Sequence, residues 1–285
     1  MDLRFNTFLR IVIFCLPLCA IQAQPQLGVA TSINHDSILN KAGYKFMVEA
    51  VPQILSPVSV SDSAFHYKLN QLKKLALPVY ALNIFIPGEL KLVGPNVNEQ
   101  TILDYTQKVF TRCKQAGINL IVFGSGGARR IPQGYSKEKA RQEFVQVAKK
   151  IAIQAKQYGI MLALENLNQQ ETNFINTVAE ALQIVKDVNH ANFKLCADIY
   201  HMLRENEPAS VLLTAKGYLI HCDIAEKENR TPPGTAGDDF TTYLQALKQI
   251  GYSGKIVLEC RWSNLAVQAA PARISLQDQI DQVWK

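Results

Sequence analysis

Short apolar runs alternate along this chain with longer segments whose apolar positions recur at helical spacing. The runs are Leu27–Ala30, Tyr44–Ala50, Val79–Phe85, Asn119–Phe123, Met161–Glu165, Phe193–Asp198, Tyr218–Asp223 and Lys255–Glu259. Each reads as a strand covered on both faces, as the strands of a parallel sheet are. A polar, helix-compatible piece joins the first two runs. Further helices are predicted from Asp62 or Ser63 through Leu75, where Leu69, Leu72 and Leu75 share a face, and from about Glu99 to Gln115. Others are predicted from Ser136 to Gly159, Thr177 to Val188, Pro208 to Lys216, Asp238 or Asp239 through Ile250, and Ala270 to Trp284. Gly117, Gly159 and Gly251 stand where helices should stop. Eight strands alternating with roughly eight helices predict a (β/α)8 TIM barrel in one domain, residues 24–285. A doubly wound open sheet is the alternative. No low-complexity linker or internal repeat divides the chain.

Four successive late runs end in an acid: Glu165, Asp198, Asp223 and Glu259. The carboxyl ends of parallel strands are where such folds place their ligands. A single acid there is commonly a helix N-cap, but four at one rim would repel strongly in a low-dielectric crevice unless a cation neutralised them. An all-oxygen set suits Mn²⁺ first, with Mg²⁺ or Co²⁺ as alternatives. His221 shares the period-2 face of Asp223, so either could complete the coordination. Asp223 is preferred, which leaves His221 to face a substrate.

A carbonyl polarised by a metal makes the adjacent C–H acidic, and two carboxylates can then remove and return the proton. Glu165 and Glu259 belong to the fifth and eighth strands, which face each other across a barrel mouth. They are the expected pair. His201, three residues past Asp198, is placed to hold a substrate oxygen. Arg230, in the stiff segment Asn229-Arg230-Thr231-Pro232-Pro233-Gly234, would pin a guanidinium beside the rim. The Gly124–Gly127 loop could turn backbone N–H groups toward an anion, with Arg129 beside it, although it lacks the ending of a phosphate loop. There is no Gly-x-Ser-x-Gly elbow and no His-Glu-x-x-His helix.

The N-terminus changes the picture of where this chemistry takes place. Arg4 and Arg10 precede the apolar run Ile11–Ala20, and Ala23 offers a small residue for cleavage. Residues 1–23 are expected to be an export signal, the run being too short to span a membrane. The remainder is expected to be soluble, in the periplasm or outside the cell. Losing Arg4, Arg10 and Asp2 lowers the formal charge of +6 by one. The remaining charges are spread over helices such as Lys137 to Lys156, which reads as a solvated face and not as a nucleic-acid surface. Four cysteines remain, Cys113, Cys196, Cys222 and Cys260, with no close paired spacing. They read as buried thiols, although an oxidising compartment would permit a disulfide. A homo-oligomer is compatible with this pattern.

Several stretches taken together resemble a known group. They are Leu164-Glu165-Asn166-Leu167-Asn168 with Glu171 and Asn176-Thr177, then Asp198-Ile199-Tyr200-His201, His221-Cys222-Asp223 through Gly234, and Leu258-Glu259. The set is similar to the sugar isomerase/epimerase group of the xylose-isomerase-like TIM-barrel superfamily, which includes ketose 3-epimerases and hydroxypyruvate isomerases. The similarity runs nearly end to end beyond the signal. It implies that Glu165 is metal ligand and base, Asp198 a ligand, and Glu259 a ligand and the second acid/base. Glu171, His201 and Arg230 would contact substrate. The third ligand position falls at Asp223, where family members more often carry His or Gln. The site would therefore be more negative, with tighter divalent binding or one protonated acid. The superfamily's abasic-site endonucleases resemble three-zinc proteins with a richer set of histidines than the five present here.

The resulting expectation is an exported, divalent-metal-dependent isomerase or epimerase that acts on a small carbohydrate through an enediolate. One alternative keeps only the first step, so that a 3-keto-glycoside expels its glycosidic oxygen. Another is a non-catalytic sugar-binding barrel, since a fold does not fix a function.

Overall fold

The computed structural model describes residues 23–285. Apart from Ala23, the expected export signal lies outside the described residues. Eight parallel strands close on themselves in sequence order: β1 (Gln26–Ala30), β2 (Phe46–Ala50), β3 (Val79–Asn83), β4 (Leu120–Phe123), β5 (Met161–Glu165), β6 (Phe193–Asp198), β7 (Leu219–Ile224) and β8 (Lys255–Leu258). The pairing of Gly28 with Val257 across β1 and β8 completes the ring. The fold is the (β/α)8 barrel, and the open-sheet alternative falls because β1 has neighbours on both sides.

Helices fill the connections. They are α1 (Asp36–Lys41), α2 (Val51–Ile54), α3 (Asp62–Leu72), α4 (Glu99–Ala116), α5 (Gly126–Arg129), α6 (Lys137–Tyr158), α7 (Val178–Val188), α8 (Ile199–Arg204), α9 (Thr241–Gln249) and α10 (Leu265–Val283). Their ends follow side-chain chemistry. Ser61, Asn98, Ser136, Thr177 and Asn264 each accept an N–H of the first turn, a contact that stabilises a helix by about 1 kcal/mol. Gly117 and Gly159 close α4 and α6 at φ of 70° and 72°, left-handed values that cost other residues more. Among the described residues no helix is long and apolar enough to cross a membrane.

Period 2 along each strand divides the apolar side chains into two layers. Phe46, Val48, Ala81, Leu120, Val122, Ala163, Cys196 and Val257 fill the barrel, large beside small. Val29, Met47, Leu82, Ile121, Leu164 and Leu195 point outward to the helices. Gly28 is one of the small members: a Cβ there would lie 2.2 Å from the Phe46 ring. Cys113, Cys196 and Cys222 are buried free thiols and Cys260 is half-buried.

Three local differences from the expected elements matter later. β3 stops at Asn83, because Ile84 turns into the left-handed region at φ 51°. The glycine stretch winds into the single turn of α5, and α8 starts directly after Asp198. The segment expected as a helix near Pro208 is a 3-10 helix, Ala209–Ala215.

Candidate active site

The four acids meet at the carboxyl end of the barrel. Glu165 and Asp198 are the last residues of β5 and β6, and Asp223 on β7 pairs in register with Asp198. Glu259 is the first residue past β8 and still donates its N–H to the Ile224 carbonyl at 3.1 Å. Glu165, Asp198 and Asp223 are buried, and Glu259 is half-buried.

Each is held by neighbours of identifiable kind. A Cβ on Gly124 would come within 2.2 Å of Glu165 Oε2, so the carboxylate occupies space that only glycine leaves. The Asn166 side chain accepts the Asp198 N–H at 2.9 Å and donates to the Asp198 carbonyl at 3.2 Å, tying β5 to β6. Asp198 Oδ1 in turn accepts the His201 N–H at 3.2 Å, so this acid both caps α8 and lines the site. Asn83 Nδ2 donates to Glu259 Oε1 at 2.7 Å. Asp223 takes two donors from the barrel interior, His221 at 3.0 Å and the Cys196 thiol at 3.2 Å.

Crowding sets the acidities. Burial, then repulsion from Glu259, Asp198 and Asp223, lifts Glu165 well above the usual carboxylate range, with Arg230 opposing. Burial also pushes Asp198 and Glu259 up to about 7 against the pull of Arg230. His201 moves the other way. Burial and then Arg230 hold it down to about 3, so the ring is neutral. Its tautomer follows from its neighbour: the Asn168 N–H points at Nδ1 from 3.1 Å, which makes Nδ1 the acceptor and puts the proton on Nε2. That Nε2 is buried, has no hydrogen-bond partner, and lies 3.3 Å from Asp198 Oδ2 and 3.9 Å from Glu165 Oε1. It is a free donor aimed among the acids.

Arg230 closes the ring. Its Nε donates to the Glu259 carbonyl at 2.8 Å, and its Nη2 contacts Asp198 Oδ2 at 3.2 Å and the Glu259 carboxylate. Nη1 reaches Glu171 Oε1 at 3.4 Å, and the guanidinium lies over the Tyr200 ring. Asn229 and Arg230 both have positive φ, at 55° and 57°. The loop is held by Glu226, a fully buried acid that sequence reasoning passed over. Its carboxylate accepts the N–H groups of Gly234, Ala236, Gly237 and Asp238 and the Thr231 hydroxyl.

Two expectations fail. Arg129 does not face a substrate: it is fully buried, and its guanidinium donates to the carbonyls of Glu165, Phe174 and Ile175 at 2.9, 3.1 and 3.1 Å. Burial draws it down to about 10, with Glu165 and Glu171 opposing. It braces the end of β5 from behind. Just past the glycine loop, the N–H groups of Ala128 and Arg129 are spent on the Ser125 carbonyl. Gly124 makes room for Glu165, while Gly126 faces Leu167 and Thr172 and Gly127 faces Gly88. His221 does not face a substrate either: it sits below Asp223, to which its Nε2 is hydrogen-bonded, is stacked on Tyr80 at 5.9 Å, and is fully buried.

A cavity of about 320 Å³ opens above this set, bounded by Asn83, Glu165, Glu171, His201, Arg230 and Glu259 on its polar side. The donor set fits a hard divalent cation. Glu165, Asp223 and Glu259 each place an oxygen within 4.8 Å of the others, and Asp198 lies beside Glu165 in a second such group with His201. The proton on His201 Nε2 removes that nitrogen as a ligand and leaves oxygens alone, the chemistry of Mn²⁺ or Mg²⁺. Four acids facing one guanidinium also leave negative charge that a cation offsets.

A profile of the xylose isomerase-like TIM barrel matches residues 37–280. The chain is 37% identical over 127 residues to an L-ribulose 3-epimerase of Methylomonas sp. (strain DH-1), a match that spans only 44% of either protein. It is 28% identical over 242 residues to a D-psicose 3-epimerase of Ruminiclostridium cellulolyticum, covering 77% of this chain and 78% of that one. The solved structure of an L-ribulose 3-epimerase superposes with a TM-score of 0.77 at 18% identity, covering 91% of this chain and 95% of the other. At that identity the superposition speaks for the fold.

Proposed function

This chain belongs to the xylose isomerase-like TIM barrel family, and on that premise we propose that it is a divalent-metal-dependent sugar isomerase or epimerase. In this reading it moves a proton at a carbon next to a carbonyl. The observation that carries it is the pair Glu165 and Glu259, two carboxylates in one crevice, Glu165 held well above the usual carboxylate range by burial and Glu259 pushed up to about 7. A carboxylate that holds its proton more tightly than usual is a stronger base, and one near 7 can serve as base or acid near neutral pH. The relatives named as 3-epimerases of ribulose and psicose support a sugar as the substrate.

Glu165, Asp198, Asp223 and Glu259 would hold the cation, which would polarise the substrate carbonyl. The remaining work falls to the chain's own groups. Glu165, braced by Gly124 and Arg129, takes the proton from one face of the carbon. Glu259, fixed by Asn83 and Arg230, delivers one to the opposite face, and a return to the same carbon inverts it while a return to its neighbour moves the carbonyl. His201 Nε2–H and the Arg230 guanidinium hold substrate oxygens, and Glu171 receives a hydroxyl at the rim. Glu165→Gln keeps the shape of the side chain and removes the base.

The test is proton NMR in D₂O with Mn²⁺ and a panel of ketoses. Deuterium should enter beside the carbonyl with the native chain, and its rate should drop by about 100-fold or more with Glu165→Gln. Binding of a sugar without exchange would instead mark a binding protein. We place export in the same reading, with cleavage near Ala23. Intact mass of the protein recovered from the producing cells should then begin near Gln24, and a mass retaining residues 1–23 would refute the export assignment.

A further inference from the structure

The cavity has two unlike walls. Acids, His201 and Arg230 form one, while Ile84, Ile86, Pro87 and Leu167 with the bare backbone of Gly88 and Gly127 form the other. Ile84 is the anomaly among them. Its φ of 51° lies where a β-branched residue goes only under constraint, and its side chain is 56% exposed.

The constraint is visible on both sides. Asn83 is tied to Glu259, and the Ile86 N–H donates to Ser125 Oγ at 2.9 Å. Ile175, the other β-branched residue with a positive φ among those described, shows how such strain is usually offset. It is 1% exposed, and its carbonyl accepts from Leu167 N–H at 3.2 Å and from Arg129. Ile84 has no such burial. A strained apolar side chain at a cavity mouth, adjacent in sequence to the residue that positions a reacting carboxylate, is placed to meet something arriving from solution.

The polar and apolar walls together match one kind of molecule. A sugar ring presents hydroxyls at its edge and C–H groups on its face. The polar wall engages hydroxyls and a carbonyl, and Ile84 offers a surface for a C–H face. Gly88 and Gly127 keep that end clear of side chains and lie so close that a Cβ on Gly127 would meet Gly88 Cα at 3.3 Å.

We propose that Ile84, with the backbone of Gly88 and Gly127, forms an outer subsite for a second sugar ring. The preferred substrate is then a glycoside bearing a ketone in its inner ring, not a free ketose. The inference rests on the proton-transfer reading for the inner end of the site. A free ketose would fill the inner end and leave Ile84 bare.

The experiment measures kcat/KM for deuterium exchange by the Mn²⁺-loaded protein on a free ketose and on a 3-keto-glycoside. It is paired with saturation-transfer NMR on the parent glycoside, which carries a hydroxyl in place of the ketone and cannot react. The native protein should prefer the keto-glycoside and saturate outer-ring protons most strongly. Ile84→Asn suits the left-handed backbone and lacks the apolar face. It should lower the glycoside-to-ketose ratio about tenfold and abolish the outer-ring saturation. Preference for the free ketose, with a ratio that Ile84→Asn leaves unmoved, would overturn the subsite and leave the proton-transfer reading intact. If neither substrate exchanges, the proton-transfer reading falls and the saturation pattern decides the subsite. Outer-ring saturation that is present in the native protein and vanishes in Ile84→Asn upholds it; a native protein that never saturates the outer ring overturns it.

Discussion

Asparagines do much of the positioning at this site. Asn83 holds Glu259, Asn166 holds the backbone of Asp198, and Asn168, whose Nδ2 reaches His201 Nδ1 at 2.8 Å beside its main-chain N–H, sets the tautomer of His201. An amide can steer a carboxylate or imidazole without adding a charge to a crowded set. Glycine does the same by absence. In Gly124→Ala the new methyl would collide with Glu165 Oε2 and swing the carboxylate out of place. A misplacement on the scale of an ångström should cut exchange by about 100-fold and weaken Mn²⁺ binding in calorimetry, with the circular dichroism spectrum unchanged. Native-like activity and affinity would mean that Glu165 does not act from this position. The acids were legible in sequence because a parallel strand is a continuous apolar run, so a carboxylate at its end stands out. Arg129 was not legible, since nothing in Gly-Gly-Ala-Arg says whether the side chain turns toward the cavity or back into the wall. Asn83 carried the same strand-end signal as Glu165 and was overlooked because apolar residues resume after it and run on to Phe85.

At the scale of elements, strands place the four acids and loops place the groups proposed to meet substrate. The segment after β7 shows how a loop can be made as definite as a strand. Glu226 gathers four backbone N–H groups and a hydroxyl from residues 231–238, which fixes the path of the chain just past Arg230. Glu226→Ala should leave those donors to water and raise amide exchange across 231–238 by roughly 10- to 100-fold, as loss of charge-assisted hydrogen bonds worth about 1–3 kcal/mol predicts. The KM for sugar should rise with it through Arg230. Unaltered exchange in that segment, followed by mass spectrometry, would refute the clamp. Such loop structure was out of reach of periodicity, which registers apolar spacing and is silent on a lone buried acid serving backbone donors. The same limit hid α8, whose N-cap is Asp198, a residue singled out for a different reason.

The whole molecule bears the energetic consequence of concentrating four acids at one end of a closed barrel. Asp198 and Glu259 have folded-state values raised to about 7, above the unfolded values of about 4. A group raised in this way contributes stability that is fully present below its unfolded value and is lost as pH rises through the folded one. The metal-free protein should therefore melt at progressively lower temperature from about pH 5 to pH 8. Added Mn²⁺ should raise the melting temperature most at the upper end, by mass action on the folded state. A flat or rising profile in a chelator would show that the acids do not repel as placed. The global fold was the most legible layer of all, because eight runs at regular spacing leave few topologies. The Gly88–Gly127 contact sets a further property of that barrel, a kinetic one. The two backbones touch, and the Ile86 N–H donates to Ser125 Oγ and the Leu92 N–H to the Ala128 carbonyl, each at 2.9 Å, so the β3 and β4 loops move together as a fixed jamb. Across the mouth the Arg230–Glu171 pair joins the β5 and β7 loops at 3.4 Å, with Glu171 40% exposed, and an exposed pair of this kind is worth about 0–1 kcal/mol. A ligand leaving past that pair should do so faster as added salt screens it, and a release rate indifferent to salt would show that the pair does not limit exit.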